Sequence, residues 1–274
     1  MTVADPIYNT LSIAGVDPSA GAGVLADVKT MSALGTYGCG VIAALTAQNT
    51  KGVTGISPVD PDFVGLQIDT LFDDVAIAAV KIGMLGQERV TLVVAEKLAK
   101  HTPAHIVLDP VMIAKSGDML LERKAVGALR EALLPQTTVL TPNLPEAGVL
   151  LGERQVDTIR EMRRVAEKLR NLLAYSGHRW VMLKGGHLPS DDIVDLLFDG
   201  DRMIELPGRR ILTKNTHGTG CTLSAALAAL IPQTNDVPEA ARRAKDYLTA
   251  ALAAADTLNV GSGHGPVHHF HALW

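Results

Sequence analysis

The chain has 274 residues, 47% of them hydrophobic but only 4% aromatic, the Ala-, Val-, Leu- and Gly-rich balance of a parallel sheet sandwiched by helices. A formal charge of −4 argues against nucleic-acid and anionic-membrane surfaces, both of which need clustered Lys and Arg. No basic leader is followed by an apolar run, no stretch reaches the ~18 apolar residues of a membrane span, and the two cysteines, Cys39 and Cys221, stand far apart; the expectation is a soluble cytoplasmic protein with reduced thiols.

Short apolar runs alternate with helical patterns along the whole chain. Leu11–Ala14 reads as a first strand ended by Gly15. A helix is predicted over Gly23–Leu34, with Val24, Val28, Met31 and Leu34 at helical spacing. Gly40–Ala47 reads as a strand, and Pro61–Phe72 as a helix with Pro61 in its first turn. Val80–Met84 is predicted as a strand, Glu88–Lys100 as a helix and His105–Leu108 as a strand. Arg123–Leu134 and Thr138–Leu140 continue the alternation. Thr158–Tyr175 reads as a charged-faced helix and Trp180–Lys184 as a strand. Asp192–Leu197 and Met203–Leu206 form a hairpin-like pair around Asp199-Gly200. Helices over Gly220–Ile231 and Val237–Leu258 close the chain.

A length of 274 residues could hold one large α/β domain or two small ones, but no linker, repeat or low-complexity block divides it. The expectation is one domain over 1–274, α/β in class, with a mostly parallel central sheet and helices on both faces. In open sheets of this kind the ligand sits beyond the carboxyl ends of the strands. That rule gathers Gly15-Val16-Asp17, Gln48-Asn49, Gly83-Met84, Asp109-Pro110-Val111, Thr141-Pro142-Asn143, Lys184-Gly185-Gly186 and one further loop onto a single rim.

That loop is Asn215-Thr216-His217-Gly218-Thr219-Gly220-Cys221, which runs into a helix of small and apolar residues. A helix start carries unpaired N–H groups and the positive end of the dipole. Glycines at 218 and 220 would let a phosphate approach those amides beside Thr219. Cys221, at the lip, is expected to have its pKa lowered by the helix terminus and to serve as a proton acceptor. The bland alternative is a tight loop that packs a helix against a sheet.

The other strand ends carry similar choices. Asn143 and Glu146 could form only a capping pair, or Glu146 could hold Mg²⁺ through waters while Asn143 lies near nucleotide phosphates. Asp109 is a second carboxylate for the metal, or a loop capper. The amide of Gln48 could satisfy a neighbouring loop backbone, or it could read the 4-amino group and adjacent ring nitrogen of an aminopyrimidine. Lys184 could reach a nucleotide phosphate or point into water, and Lys245 reads by default as part of a solvated helix face. His264, His268, His269 and His271 match no common zinc spacing and read as packing and capping. Met84 and Val111 read as apolar wall. A phosphate loop, a magnesium carboxylate, a strand-end Lys and an amide reader together describe a small-molecule kinase.

Beyond these single residues, Ile13–Gly23, Ala26-Asp27-Val28-Lys29-Thr30, Ala44–Thr50 and Lys81–Leu85 resemble the hydroxymethylpyrimidine and phosphomethylpyrimidine kinases of thiamine biosynthesis, in the ribokinase-like superfamily. Asp109-Pro110-Val111-Met112, Ser116-Gly117-Asp118, Thr141–Ala147, the Gly-Thr-Gly-Cys loop and Gly265–His271 extend the resemblance over nearly the whole chain. It implies two successive phosphoryl transfers from MgATP to 4-amino-5-hydroxymethyl-2-methylpyrimidine, a small flap at Met112–Asp118 and a homodimer. Gly15 by its backbone, Gln48 by its amide, and Met84 and Val111 by contact would hold the pyrimidine, with Asp27 near its hydroxymethyl side. Asp109, Asn143 and Glu146 would serve Mg²⁺ and phosphates; Lys184, Thr219 and Lys245 would contact ATP. Cys221 stands where many superfamily relatives carry Asp as base. The alternatives are a pyridoxal kinase and a non-catalytic ligand-binding relative.

Overall fold

The computed structural model describes residues 6–112, 123–174, 177–190 and 192–274. The expected flap lies, from residue 113 on, outside the described residues, as does Tyr175 at the end of one predicted helix. In chain order, β1 (Asn9–Val16) leads into α1 (Gly23–Ala33), and β2 (Tyr37–Asn49) turns back as β3 (Gly52–Pro58). Next come α2 (Pro61–Phe72), β4 (Ile77–Ile82), α3 (Glu88–His101) and β5 (Ile106–Leu108). After α4 (Arg123–Ala128), a π-helical turn over Leu129–Leu133 and a 3₁₀ turn over Leu134–Gln136 reach β6 (Val139–Leu140). Then α5 (Leu144–Leu151), α6 (Ile159–Arg170), β7 (Trp180–Leu183), the hairpin β8 (Asp192–Phe198) and β9 (Met203–Arg209), and finally α7 (Thr219–Thr234) and α8 (Val237–Ala253) complete the chain.

All nine strands join one sheet in the order β3-β2-β1-β4-β5-β6-β7-β8-β9. The central pairs, from β2 through β7, are parallel, and the flanking pairs are antiparallel. Strands buried on both faces read as near-continuous apolar runs, and β1 is buried from Thr10 to Gly15. On one face Leu11, Ile13, Val80 and Ile82 pack with side chains of α2, α3, α5 and α6. On the other, Ala79, Val107 and Val139 pack with Met31 of α1 and with α7 and α8. The chain leaves β1 in one direction to β2 and later in the other to β4, with crossover helices on opposite faces. This reversal opens a crevice at the carboxyl ends of β1 and β4.

The helix α7 is apolar all round because it is enclosed. Its residues Thr222–Ile231 are all buried, and it packs against α1 and α8 as well as β1, β4 and β5. Its alanines allow close approach to the sheet, which brings its first turn under the central strand ends. The sequence reading missed β3, an edge strand with a glycine-rich Gly52-Val53-Thr54-Gly55 start and an exposed Ile56-Ser57-Pro58 end. Among the described residues no helix is long and apolar enough to cross a membrane.

Candidate active site

A cavity of about 430 Å³ opens at the crevice, and its wall is made by loops from seven strand and helix ends. Gly15, Gln48, Met84, Asp109, Val111, Asn143, Glu146 and Lys184 line it, together with Gly218, Thr219, Gly220 and Cys221. Twelve of the residues singled out from the sequence therefore meet in one place.

The anion loop is built by glycine conformations. Gly218 caps α7 with φ +77°, and the carbonyl of Gly21 lies 1.7 Å from where a β-carbon at 218 would stand. No other residue fits there. The first N–H groups of α7 have no intrahelical acceptor and face the cavity end of the helix. A β-carbon at Gly220 would come within 3.3 Å of Asp109 Oδ2 and 3.4 Å of Lys184 Nζ, so amides, carboxylate and ammonium converge on one volume.

Lys184, just past β7, donates to Asp109 Oδ1 at 2.9 Å and lies 4.0 Å from Glu146 Oε2. Burial works against its charge, but the carboxylates of Asp109 and Glu146 hold its pKa above the ordinary value. Thr141 Oγ1 sits 3.2 Å from Asp109 Oδ1. Asn143 and Glu146 do form a capping box at the start of α5, each side chain accepting from the other's N–H at 2.8 Å. Both nonetheless border the cavity, so capping and ligand contact are not alternatives here. Burial, helped by Asp109, pushes the Glu146 carboxyl up to about 7 against the pull of Lys184 and the Asn143 N–H. Two crowded carboxylates are a setting that a divalent cation relieves. Among the described residues no three His, Cys, Asp or Glu groups cluster as a metal cage.

Elsewhere on the cavity wall, Gln48 Oε1 accepts from the Thr46 hydroxyl at 3.1 Å. The N–H of Gly15 donates to the Met84 carbonyl at 3.0 Å. What Gly15 offers is space, because a β-carbon there would strike Met84 Cε at 2.6 Å.

One expectation is corrected, and two of the expected site residues stand apart from the cavity wall. Cys221 borders the cavity, but its thiol is pushed up to about 11 rather than lowered. Burial is the main cause and the negative charges of Asp27 and Asp109 add to it, against Lys81 and the Gly23 N–H. Asp27 is absent from the cavity wall. It is fully buried, with Lys81 Nζ at 2.7 Å and the Ser12 hydroxyl at 2.6 Å on the same oxygen. Packing of α1 on the sheet turns this carboxylate onto β1 and β4 beneath the site. Its Oδ1 has no hydrogen-bond partner among the described residues. Lys245, too, lies off the cavity: its ammonium binds Asp195 Oδ2 at 2.6 Å and the Leu206 carbonyl at 2.7 Å. Because Asp195 Oδ1 accepts from the Gly185 N–H at 2.8 Å, Lys245 braces the turn that follows Lys184.

The reading of the sequence assigned no role to Asp17, Lys81, His187 or His217, all of which line the cavity. Lys81 carried a usable signal: a lone charge within the apolar run Ala78–Ile82 needs a buried partner. His268 and His269 are buried, and burial pushes His269 down to about 3, with Lys29 adding to it, so it packs as a neutral ring beside Thr222.

A parallel sheet with helices on both faces, an amide cradle at a central helix start, and Lys and carboxylates around it define a small-molecule phosphotransferase of the ribokinase-like kind. The sequence matches the phosphomethylpyrimidine kinase family over residues 17–268, and the chain belongs to that family. It is 53% identical over 268 residues to the hydroxymethylpyrimidine/phosphomethylpyrimidine kinase of Escherichia coli, covering 97% of this chain and 98% of that one. The Bacillus subtilis kinase of the same description is 41% identical, with 96% and 95% covered. Among solved structures, the Staphylococcus aureus pyridoxal kinase in complex with AMP-PCP and pyridoxal superposes with a TM-score of 0.87 at 31% identity, covering 98% of this chain and 95% of that one. The Clostridium difficile phosphomethylpyrimidine kinase gives 0.78 at 38% identity, with 89% and 99% covered.

Proposed function

We propose that this chain, as one kinase domain over 1–274, phosphorylates 4-amino-5-hydroxymethyl-2-methylpyrimidine to its monophosphate and then to the diphosphate, with MgATP as donor. The observation that carries the reading is that the start of α7, Lys184 and Cys221 line one cavity together with Gln48, Met84 and Val111. The free cysteines Cys39 and Cys221 and the family membership support a cytoplasmic protein, and the family membership a homodimer.

Gln48 would offer its amide to the 4-amino group and the neighbouring ring nitrogen, between the apolar contacts of Met84 and Val111. The amides of Gly218, Thr219 and Gly220 would carry the charge of the transferred phosphoryl group, and Lys184 would steady it. Asp109 and Glu146 would hold Mg²⁺ largely through water, with Asn143 beside the phosphates; the ion supplies neutralisation of phosphate charge. In the first transfer the hydroxymethyl oxygen bonds to the γ-phosphorus as the bond to the β–γ bridging oxygen breaks. ADP leaves, and the alcohol proton passes to the Cys221 thiolate, which becomes the neutral thiol. In the second, an ionised phosphate oxygen attacks and no base is needed.

The test is product mass by chromatography, with the hydroxymethylpyrimidine, its monophosphate, pyridoxal and ribose offered in parallel. Stepwise gain of one and then two phosphoryl groups on the pyrimidine is expected. The likeness to a pyridoxal-bound kinase supports pyridoxal as a second reading, and product from pyridoxal alone would replace the first.

A further inference from the structure

Two loops far apart in sequence meet at the side of the cavity. Asp17, two residues past Gly15, and His217, the residue before Gly218, lie 2.6 Å apart, Oδ2 to Nε2, across 200 positions of chain. Their side chains are 3% and 10% exposed, and both line the cavity. Neither takes part in the phosphoryl transfers described above.

The contact is built rather than incidental. Asp17 Oδ1 accepts from the Ser19 N–H at 2.8 Å, while Oδ2 accepts from the Ser19 hydroxyl at 2.9 Å and the Ala22 N–H at 3.1 Å. One carboxylate therefore organises the turn after β1 and grips the opposite loop. The backbones interlock around it, since a side chain at Gly21 would strike the His217 ring at 2.4 Å and Gly218 lies against the Gly21 carbonyl. From behind, the His217 N–H donates to the Gly265 carbonyl at 3.0 Å. Burial favours a neutral Asp17, but hydrogen bonds from His217 and Ser19 outweigh it and keep the carboxyl below its ordinary range.

We infer that the Asp17–His217 pair is a positioning clamp that sets the acceptor end of the cavity at a fixed distance from the anion loop. The inference rests on the kinase reading of the cavity. The acceptor is held at the ends of β1, β2 and β4, and the γ-phosphate at the start of α7. Transfer requires the attacking oxygen and the phosphorus about 3–3.5 Å apart and in line, and an error near 1 Å costs about 100-fold. A clamp acts on that distance for both acceptors. It thus differs from Cys221, which serves only the alcohol.

The experiment compares Asp17→Asn, His217→Leu, the double variant and Ser19→Ala, with the hydroxymethylpyrimidine and its monophosphate as acceptors. Pyrimidine binding by calorimetry establishes that each variant keeps its fold and acceptor site. The expected result is a fall in kcat of about 10- to 100-fold in each member of the pair, equal for the two acceptors, with KM for both substrates within about threefold. The double variant is expected to be no worse than the poorer single. Ser19→Ala loosens the same turn but leaves the pair, and is expected to keep kcat within about twofold. Should His217→Leu fail to fold, Asp17→Asn alone decides. Unchanged kcat in the pair, losses that multiply in the double variant, losses confined to KM, or an equal loss in Ser19→Ala would each overturn the clamp. Wild-type protein that binds pyrimidine without phosphorylating it would refute the kinase reading instead, before any variant is compared.

Discussion

Raising the pH should accelerate the first phosphorylation and leave the second alone. The Cys221 thiol is held up to about 11 by burial and the nearby carboxylates. The base is the deprotonated form, so its population grows as pH rises towards that value. At pH 7 about one thiol in 10⁴ is ionised, and at pH 9 about one in 10². If the sulfur takes the alcohol proton as free thiolate, turnover of the hydroxymethylpyrimidine should climb about tenfold per unit over this range. The monophosphate acceptor has its second pKa near 6, and Glu146, held up to about 7, is ionised by about pH 8, so turnover of the monophosphate should be flat above that pH.

The assay is initial rate by product mass from pH 6.5 to 9.5, for wild type and Cys221→Ala, with each acceptor. Removing a general base costs about 10²- to 10⁴-fold. The Ala variant should lose that much with the alcohol at pH 9, show no rising limb, and stay within a fewfold of wild type with the monophosphate. A flat wild-type profile with the alcohol would remove the free thiolate from the mechanism. Equal losses with both acceptors would show that Cys221 shapes the cavity rather than moving a proton.

Two further outcomes follow from the same geometry. Gln48→Met replaces a donor–acceptor amide with a thioether, and should reduce kcat/KM for the aminopyrimidine about 10- to 100-fold while pyridoxal, which lacks the amino group, loses less than threefold; competition kinetics between the two would read the difference. Lys81→Met leaves the fully buried Asp27 without its cation and should cost about 3–5 kcal/mol in chemical denaturation, whereas Lys81→Met with Asp27→Leu should recover most of it; a single variant as stable as wild type would refute the ion pair.

The parts of the molecule legible in the sequence are those in which neighbours along the chain decide the outcome. Gly15 ends an apolar run, Asn143 and Glu146 stand at capping-box spacing, and Gly218-Thr219-Gly220 precedes ten residues that can only be a buried helix. Such patterns, with the rule that ligands sit at strand ends, were enough to collect the cavity wall. What stayed hidden depends on which elements the topology makes adjacent. Lys81 meets Asp27 across 54 positions because β4 lies beside β1 and α1 covers both. Lys245 meets Asp195 across 50 because α8 packs near the terminal hairpin. Local patterns carry no record of such partners. The amphipathic repeat of α8 pointed to solvent for Lys245, and the helix-terminus argument lowered Cys221 without the burial and the neighbouring carboxylates that raise it.

The raised thiol also explains why cysteine suits this position in a kinase with two acceptors. The site must admit first a neutral alcohol and then a phosphate dianion at nearly the same place. A carboxylate at 221 would ionise at a lower pH than the thiol and, once ionised, would face that dianion. Two unit charges about 4 Å apart repel by about 4 kcal/mol at an effective dielectric near 20. A thiol at about 11 is neutral in almost every molecule, so it tolerates the phosphate, while its small thiolate fraction takes the alcohol proton. Cys221→Asp should therefore retain alcohol phosphorylation within about tenfold, since a carboxylate is a competent base. Its KM for the monophosphate should rise by 100-fold or more, as a repulsion of that size requires. Steady-state kinetics with each acceptor measures both, and a variant that handles the monophosphate as well as wild type would show that charge at 221 does not govern the second step.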